Sequence, residues 1–107
     1  MTPIDRNQLK RMNELKHDFV LINVLQREDF NIQHIRTSIN IPLQESVFVE
    51  RVEAVAGNKN REIVVYCANA DCQASPKAAK QLEQAGFAKV FDYEGGVEDW
   101  FAAKEAA

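Results

Sequence analysis

Residues 63–82 read IVVYCANADCQASPKAAKQL, and the order of parts in that stretch decides the fold. Ile63, Val64, Val65 and Tyr66 run together without polar alternation, the mark of a strand covered on both faces. Cys67 ends the run and small residues follow. Ser75 and Pro76 then read as the N-cap and first residue of a helix that Gly86 stops. A strand feeding a helix through a short loop is the front of a parallel β–α–β unit. Both cysteines of the chain, Cys67 and Cys72, lie in that loop.

The same alternation extends in both directions. Thr2 is expected to cap a first helix with Pro3 at its first position, and Leu9, Met12 and Leu15 recur at helical spacing. Residues 19–25 (FVLINVL) are apolar apart from Asn23 and read as a second doubly covered strand. A short helix is expected over residues 28–33. Residues 37–41 (TSINI) alternate as a short strand that stops at Pro42. Phe48, Val52 and Val55 share one helical face before the stop signal Gly57-Asn58. Residues 89–93 (KVFDY) form a last strand, Gly95-Gly96 breaks it, and residues 97–104 suit a closing helix. Strands alternating with helices of about ten residues predict an α/β fold, a parallel sheet with helices on both faces. In such sheets the ligand crevice lies beyond the carboxyl ends of the strands, which points to Cys67.

Composition narrows the function. The chain has 107 residues, 46% apolar and 27% charged, suited to one domain over residues 1–107. Thirteen basic residues against sixteen acidic ones give a net charge of −3, with the cations scattered. That argues against a nucleic-acid or membrane surface. No apolar run nears the ~20 residues of a membrane span. The first 18 residues lack the apolar core of an export signal, so a cytoplasmic location and two free thiols are expected.

The loop itself suggests chemistry. A tight turn onto a helix N-terminus directs backbone N–H groups inward, and the helix dipole adds positive potential. Both favour a thiolate or a bound oxyanion, so Cys67 is a candidate nucleophile with a buried filler cysteine as the bland alternative. Small residues let the backbone approach. The loop carries Asp71 and no Lys or Arg, leaving Lys77 and Lys80 as the nearest cations along the chain. Cys72, at C-x4-C spacing, is readable as a resolving thiol, as an idle loop residue or as half of a zinc site. The last reading fails on ligands, because His17 and His34 have no finger-like spacing. No metal and no cofactor are expected.

Three segments together resemble the single-domain rhodanese-like, or sulfurtransferase, family. Residues 21–43 (LINVLQREDFNIQHIRTSINIPL) are similar to its first motif, an apolar strand, an acidic-acidic-Phe helix, His-Ile and a strand ending Asn-Ile-Pro. IVVYC, a loop and SPKAAKQLEQAGF are similar to its active-site strand, loop and helix, and VFDYEGGVEDW to its closing motif. The resemblance implies a three-layer α/β fold with a five-stranded, mainly parallel sheet. It also implies that Cys67 accepts a sulfane sulfur as a persulfide and passes it to a thiol or cyanide. Ala68, Asn69, Ala70, Asp71, Cys72 and Gln73 would supply the backbone cradle. The implied partners are a small-molecule or protein sulfur donor and a thiol acceptor; oligomeric state is left open. The chain departs from the family at Asn23, usually Asp, and at Leu25, often Arg, and its loop is about two residues longer than usual and uncharged by cations. Loss of those two partners is expected to loosen the support near the working edge, and the neutral loop to disfavour thiosulfate. His34 is expected to be structural. The alternatives are a non-catalytic binding or regulatory module, and an oxyanion reductase or phosphatase. The latter needs an arginine near the loop's end, where Gln73, Ala74 and Ser75 stand.

Overall fold

The computed structural model describes residues 1–105, with side chains through residue 102. Five strands alternate with five helices: β1 (Thr2–Ile4), α1 (Arg6–Glu14), β2 (Phe19–Asn23), α2 (Arg27–Ile32), β3 (Ile39–Asn40), α3 (Phe48–Ala56), β4 (Glu62–Tyr66), α4 (Ala74–Gln84), β5 (Val90–Tyr93) and α5 (Gly96–Glu105). The strands form one sheet in the order β1-β5-β4-β2-β3, every neighbouring pair parallel. The expected α/β architecture is present.

The strands covered on both faces sort their side chains by parity. Val20, Ile22, Ile63, Val65 and Cys67 point to one side, where Phe48, Val52 and Ala56 of α3 and Ala78, Ala79 and Leu82 of α4 cover them. Leu21, Val64, Tyr66 and Tyr93 point to the other side, against Leu9 of α1 and Val97 of α5. No helix among the described residues is long and apolar enough to cross a membrane.

Three local readings change. Thr2 and Pro3 belong to an edge strand rather than a helix start; Pro3 lacks an N–H, which an edge tolerates. Asp5 is the cap instead, accepting from the Gln8 amide while the Gln8 side chain accepts from the Asp5 amide. Helix α4 begins at Ala74 with Gln73 as N-cap, so Pro76 sits inside the first turn. Proline fits there because first-turn amides have no intrahelical acceptor. In α3, Val55 is 38% exposed and Ala56 is buried in its place, one step on from Phe48 and Val52 at i, i+4, i+8.

Beneath α4 lies a charge that the apolar pattern of β5 conceals. Asp92 is 0% exposed, and neither carboxyl oxygen has a hydrogen-bond partner among the described residues. Burial pushes its pKa up; the Ser75 hydroxyl opposes the shift without reaching hydrogen-bonding geometry, and Glu94 reinforces it. A carboxyl with a raised folded-state pKa contributes stability below its unfolded pKa and loses it as pH rises through the folded value. Asp92→Asn is therefore expected to raise the melting temperature at neutral pH, with the gap closing as pH falls into the ordinary carboxylate range. Melting curves of both proteins across that range check it; a gap that widens on acidification contradicts the assignment.

Candidate functional site

Strand order locates the site. The chain leaves β2 towards β3 on one side and leaves β4 towards β5 on the other, so the sheet's switch point lies between β2 and β4. Ligands bind in the crevice beyond the strand ends at such a point. Val24 and Leu25 follow β2 there, and Cys67 and Ala68 follow β4.

Tyr66 fixes that end of β4. Its hydroxyl accepts from Asn23 Nδ2 at 3.1 Å and from the Ile35 amide at 3.1 Å. Ser38 Oγ lies 2.6 Å from the Tyr66 hydroxyl and donates to the Ile35 carbonyl at 2.6 Å, so the Tyr66 O–H donates to Ser38. One donor and two acceptor positions are filled, which completes a hydroxyl's capacity. Burial pushes the Tyr66 pKa up, and the bonds donated by Asn23 and Ile35 pull against it. Asn23 Oδ1 in turn accepts from the Leu25 amide at 2.9 Å, and Asn40 Nδ2 donates to the Leu25 carbonyl at 2.8 Å. The loosening expected from Asn23 does not occur. An amide both donates to Tyr66 and accepts from Leu25, whereas an ionised Asp could only accept.

Helix α5 fixes the loop from the other side. The Val97 amide donates to the Cys67 carbonyl at 3.0 Å and the Glu98 amide to the Ala68 carbonyl at 2.9 Å. In a trans peptide the C=O and the next N–H point oppositely. With both carbonyls turned to α5, the Ala68 and Asn69 amides face away from it, and the Cys67 sulfur packs on the α4 side of the sheet. Gly96, at φ +67, lies so close that a Cβ would stand 2.4 Å from the Cys67 carbonyl oxygen. Only glycine allows that docking. The Asp71 and Cys72 amides are instead committed inside the loop, to Asn69 Oδ1 at 3.0 Å and the Asn69 carbonyl at 3.1 Å. These two of the six cradle residues direct their N–H groups to Asn69.

The two cysteines are joined. Cys67 and Cys72 form a disulfide with their Cα atoms 6.4 Å apart, in place of the two thiols expected from the lack of an export signal. The turn at Asn69 brings the loop back on itself and supplies the reason: it folds Cys72 over the end of β4. Cys67 is 1% exposed, half-buried Cys72 packs on the same apolar cluster, and Ser75 Oγ of α4 lies 3.5 Å from Cys67 Sγ. Next to the loop is a crevice of about 400 Å³ lined by Leu25, Asp29, Ile32, Gln33, Ala68, Val97 and Glu98. A second, of about 370 Å³, shares Leu25 and Asp29 with it and extends to Lys77.

His34 lies outside this arrangement. Its Nδ1 bonds the Phe30 carbonyl at 2.8 Å and its ring stacks on Phe30 with centroids 3.8 Å apart, a structural role. Among the described residues no group of three His, Cys, Asp or Glu side chains could hold a metal ion. The Tyr66 network was not anticipated from sequence, although a tyrosine closing a buried strand signals a hydroxyl that must find partners.

Comparison with known proteins agrees with the fold. The chain is 34% identical to the Escherichia coli "uncharacterized protein YibN" over 86 residues, 79% of this chain and 57% of that one. It therefore spans little more than half of that relative. It is 36% identical over 78 residues to the Escherichia coli thiosulfate sulfurtransferase PspE, 73% of this chain and 70% of that one. The crystal structure of the Alr3790 protein from Anabaena sp. superposes with a TM-score of 0.80 at 29% identity, covering 94% of this chain and 86% of that one. The family model for the rhodanese-like domain matches residues 5–103. A parallel five-stranded sheet with its loop cysteine at the switch point, read with that match, makes this chain a member of the rhodanese-like domain family.

Proposed function

We propose that the domain is a sulfurtransferase that carries a sulfane sulfur on Cys67 and delivers it to a thiol or to cyanide. The observation that carries this reading is the position of Cys67, directly after the central strand β4 and against the first turn of α4. In its reduced form the Cys67 thiolate attacks the outer sulfur of a donor R–S–SH. The S–S bond breaks, RS⁻ leaves and Cys67–S–SH remains. The Ala68 and Asn69 amides and the α4 N-terminus act on the negative charge at each stage, the task of an oxyanion-type site. The name of the relative PspE supports the class of reaction.

The surroundings favour an uncharged or weakly charged donor. Leu25, Ile32, Ala68 and Val97 give the neighbouring crevice an apolar lining, and its two ionisable side chains, Asp29 and Glu98, are acidic. A dianion such as thiosulfate meets repulsion there, while a persulfide on a small or protein thiol does not.

A second reading, a binding or regulatory module without turnover, is favoured by one observation: the Cys67 sulfur is closed off, at 1% exposure and bonded to Cys72. Reduction separates the two. If the enzyme reading holds, the reduced protein takes up sulfur; the module reading leaves it inert.

Two outcomes are expected. After reduction and exposure to a persulfide donor, Cys67 should gain about 32 Da, the mass of the covalent intermediate of a nucleophilic cysteine. Cys67→Ser should lose both that gain and thiocyanate formation from cyanide, and an unmodified wild-type Cys67 would remove the enzyme reading. Separately, Leu25→Arg should raise kcat/KM for thiosulfate roughly tenfold, since charge-assisted bonds to an anion contribute on the order of 1.5 kcal/mol, and leave a persulfide donor nearly unaffected. Equal gains for both donors would argue against charge as the discriminating factor.

A further inference from the structure

We propose that Cys72 is the internal acceptor of the sulfur held on Cys67, so that the domain releases sulfide and forms the Cys67–Cys72 disulfide in each cycle. This rests on the persulfide reading and adds the fate of the sulfur. The two Cα atoms stand 6.4 Å apart, and the loop that joins them is folded by its own bonds to Asn69, so Cys72 reaches Cys67 Sγ without moving the sheet or α4. In a loaded protein, that atom is the inner sulfur of the persulfide. The Cys72 thiolate attacks it, the Cys67–Cys72 bond forms, the inner–outer sulfur bond breaks and HS⁻ departs. The sulfane sulfur gains two electrons and the cysteine pair loses them. An external dithiol resets the pair by exchange, becoming a disulfide itself.

A structural staple is the competing account of the bond. Chain-entropy stabilisation is least for the shortest loops, and here only five positions separate the two cysteines. The strand and helix that flank the loop are already held by the sheet, by the Tyr66 network and by α5. The bond caps the buried Cys67 sulfur at the end of β4 while holding little else together. Of the two cysteines Cys67 is the more buried and Cys72 the more accessible, so an external dithiol meets Cys72 first.

The test uses the full chain under anaerobic conditions, reduced with dithiothreitol, desalted and given one equivalent of glutathione persulfide with no added acceptor. Wild type should release about one sulfide per chain and finish about 2 Da lighter, with a second equal burst once the protein is reduced and desalted again and given a further equivalent of glutathione persulfide. Cys72→Ser should keep a mass gain of about 32 Da and release sulfide about tenfold less, because its intermediate lacks the attacking thiolate. Wild type that holds the mass gain, releases no sulfide and yields thiocyanate with cyanide would overturn the internal-acceptor role and leave sulfur transfer standing. Absence of both mass gain and sulfide in wild type and variant would overturn the transfer reading and this inference with it. Cys72→Ala serves if the serine variant fails to fold, and the wild-type arm decides the matter without either.

Discussion

The site depends on a single hydroxyl buried at the end of the central strand. Tyr66 joins β4 to Asn23 at the end of β2 and to the turn at Ile35 and Ser38, so three segments meet on one oxygen. Its neighbour Cys67 points to the opposite face by strand parity. Whatever holds Tyr66 therefore sets the height of the Cys67 sulfur above the sheet. Unmet buried donors cost on the order of 1–3 kcal/mol each, so the network must be complete or it becomes a liability. Asn23 completes it. Its amide matches a hydroxyl that needs a donor as well as a strand end that needs an acceptor.

A second constraint acts from above. The first free amides of α5 meet the carbonyls of Cys67 and Ala68, which satisfies donors that a helix start otherwise leaves open and turns the loop's peptide planes. Gly96 makes the approach geometrically possible. The closing motif is thus part of the site, although its residues lie far along the chain and none of their side chains carries out the chemistry. Tyr93 links the same region, donating to Asp99 at 2.6 Å in the first turn of α5. Burial and that carboxylate both push the Tyr93 pKa well up, so the hydroxyl remains a donor.

Much of this was legible because burial on two faces leaves an unmistakable trace. The runs at β2 and β4 are apolar whichever way their side chains point, and no helix of ordinary amphipathicity reads so. Elements at the rim left weaker traces. Thr2-Pro3 is equally good as a helix entry and as an edge strand, and only pairing with β5 decides between them. Ser75-Pro76 misplaces the start of α4 by two residues for a related reason: proline is admitted anywhere in a first turn. Val55 and Ala56 exchange places because size favoured the valine, whereas the helical phase set by Phe48 and Val52 favours the alanine. The disulfide could not be read at all. Spacing permits it, the reducing compartment expected from the first residues argues against it, and only the turn at Asn69 shows that the two sulfurs converge. Asp92 hides for the opposite reason, an acid within a strand whose neighbours are all buried or half-buried.

The lack of a cation in the loop and the second cysteine act together. A persulfide anion held only by backbone dipoles is held less firmly than one facing a guanidinium, and its sulfur is correspondingly easier to discharge. Both sulfurs lie at the entrance to α4, where the helix dipole favours whichever one is ionised. The loop therefore trades grip on an anionic donor for an attacking group already in reach. The turn at Asn69 is what returns Cys72 to the end of β4. On the proposed chemistry, a cation in place of that turn would hold a loaded sulfur more firmly and leave its discharge to an outside thiol.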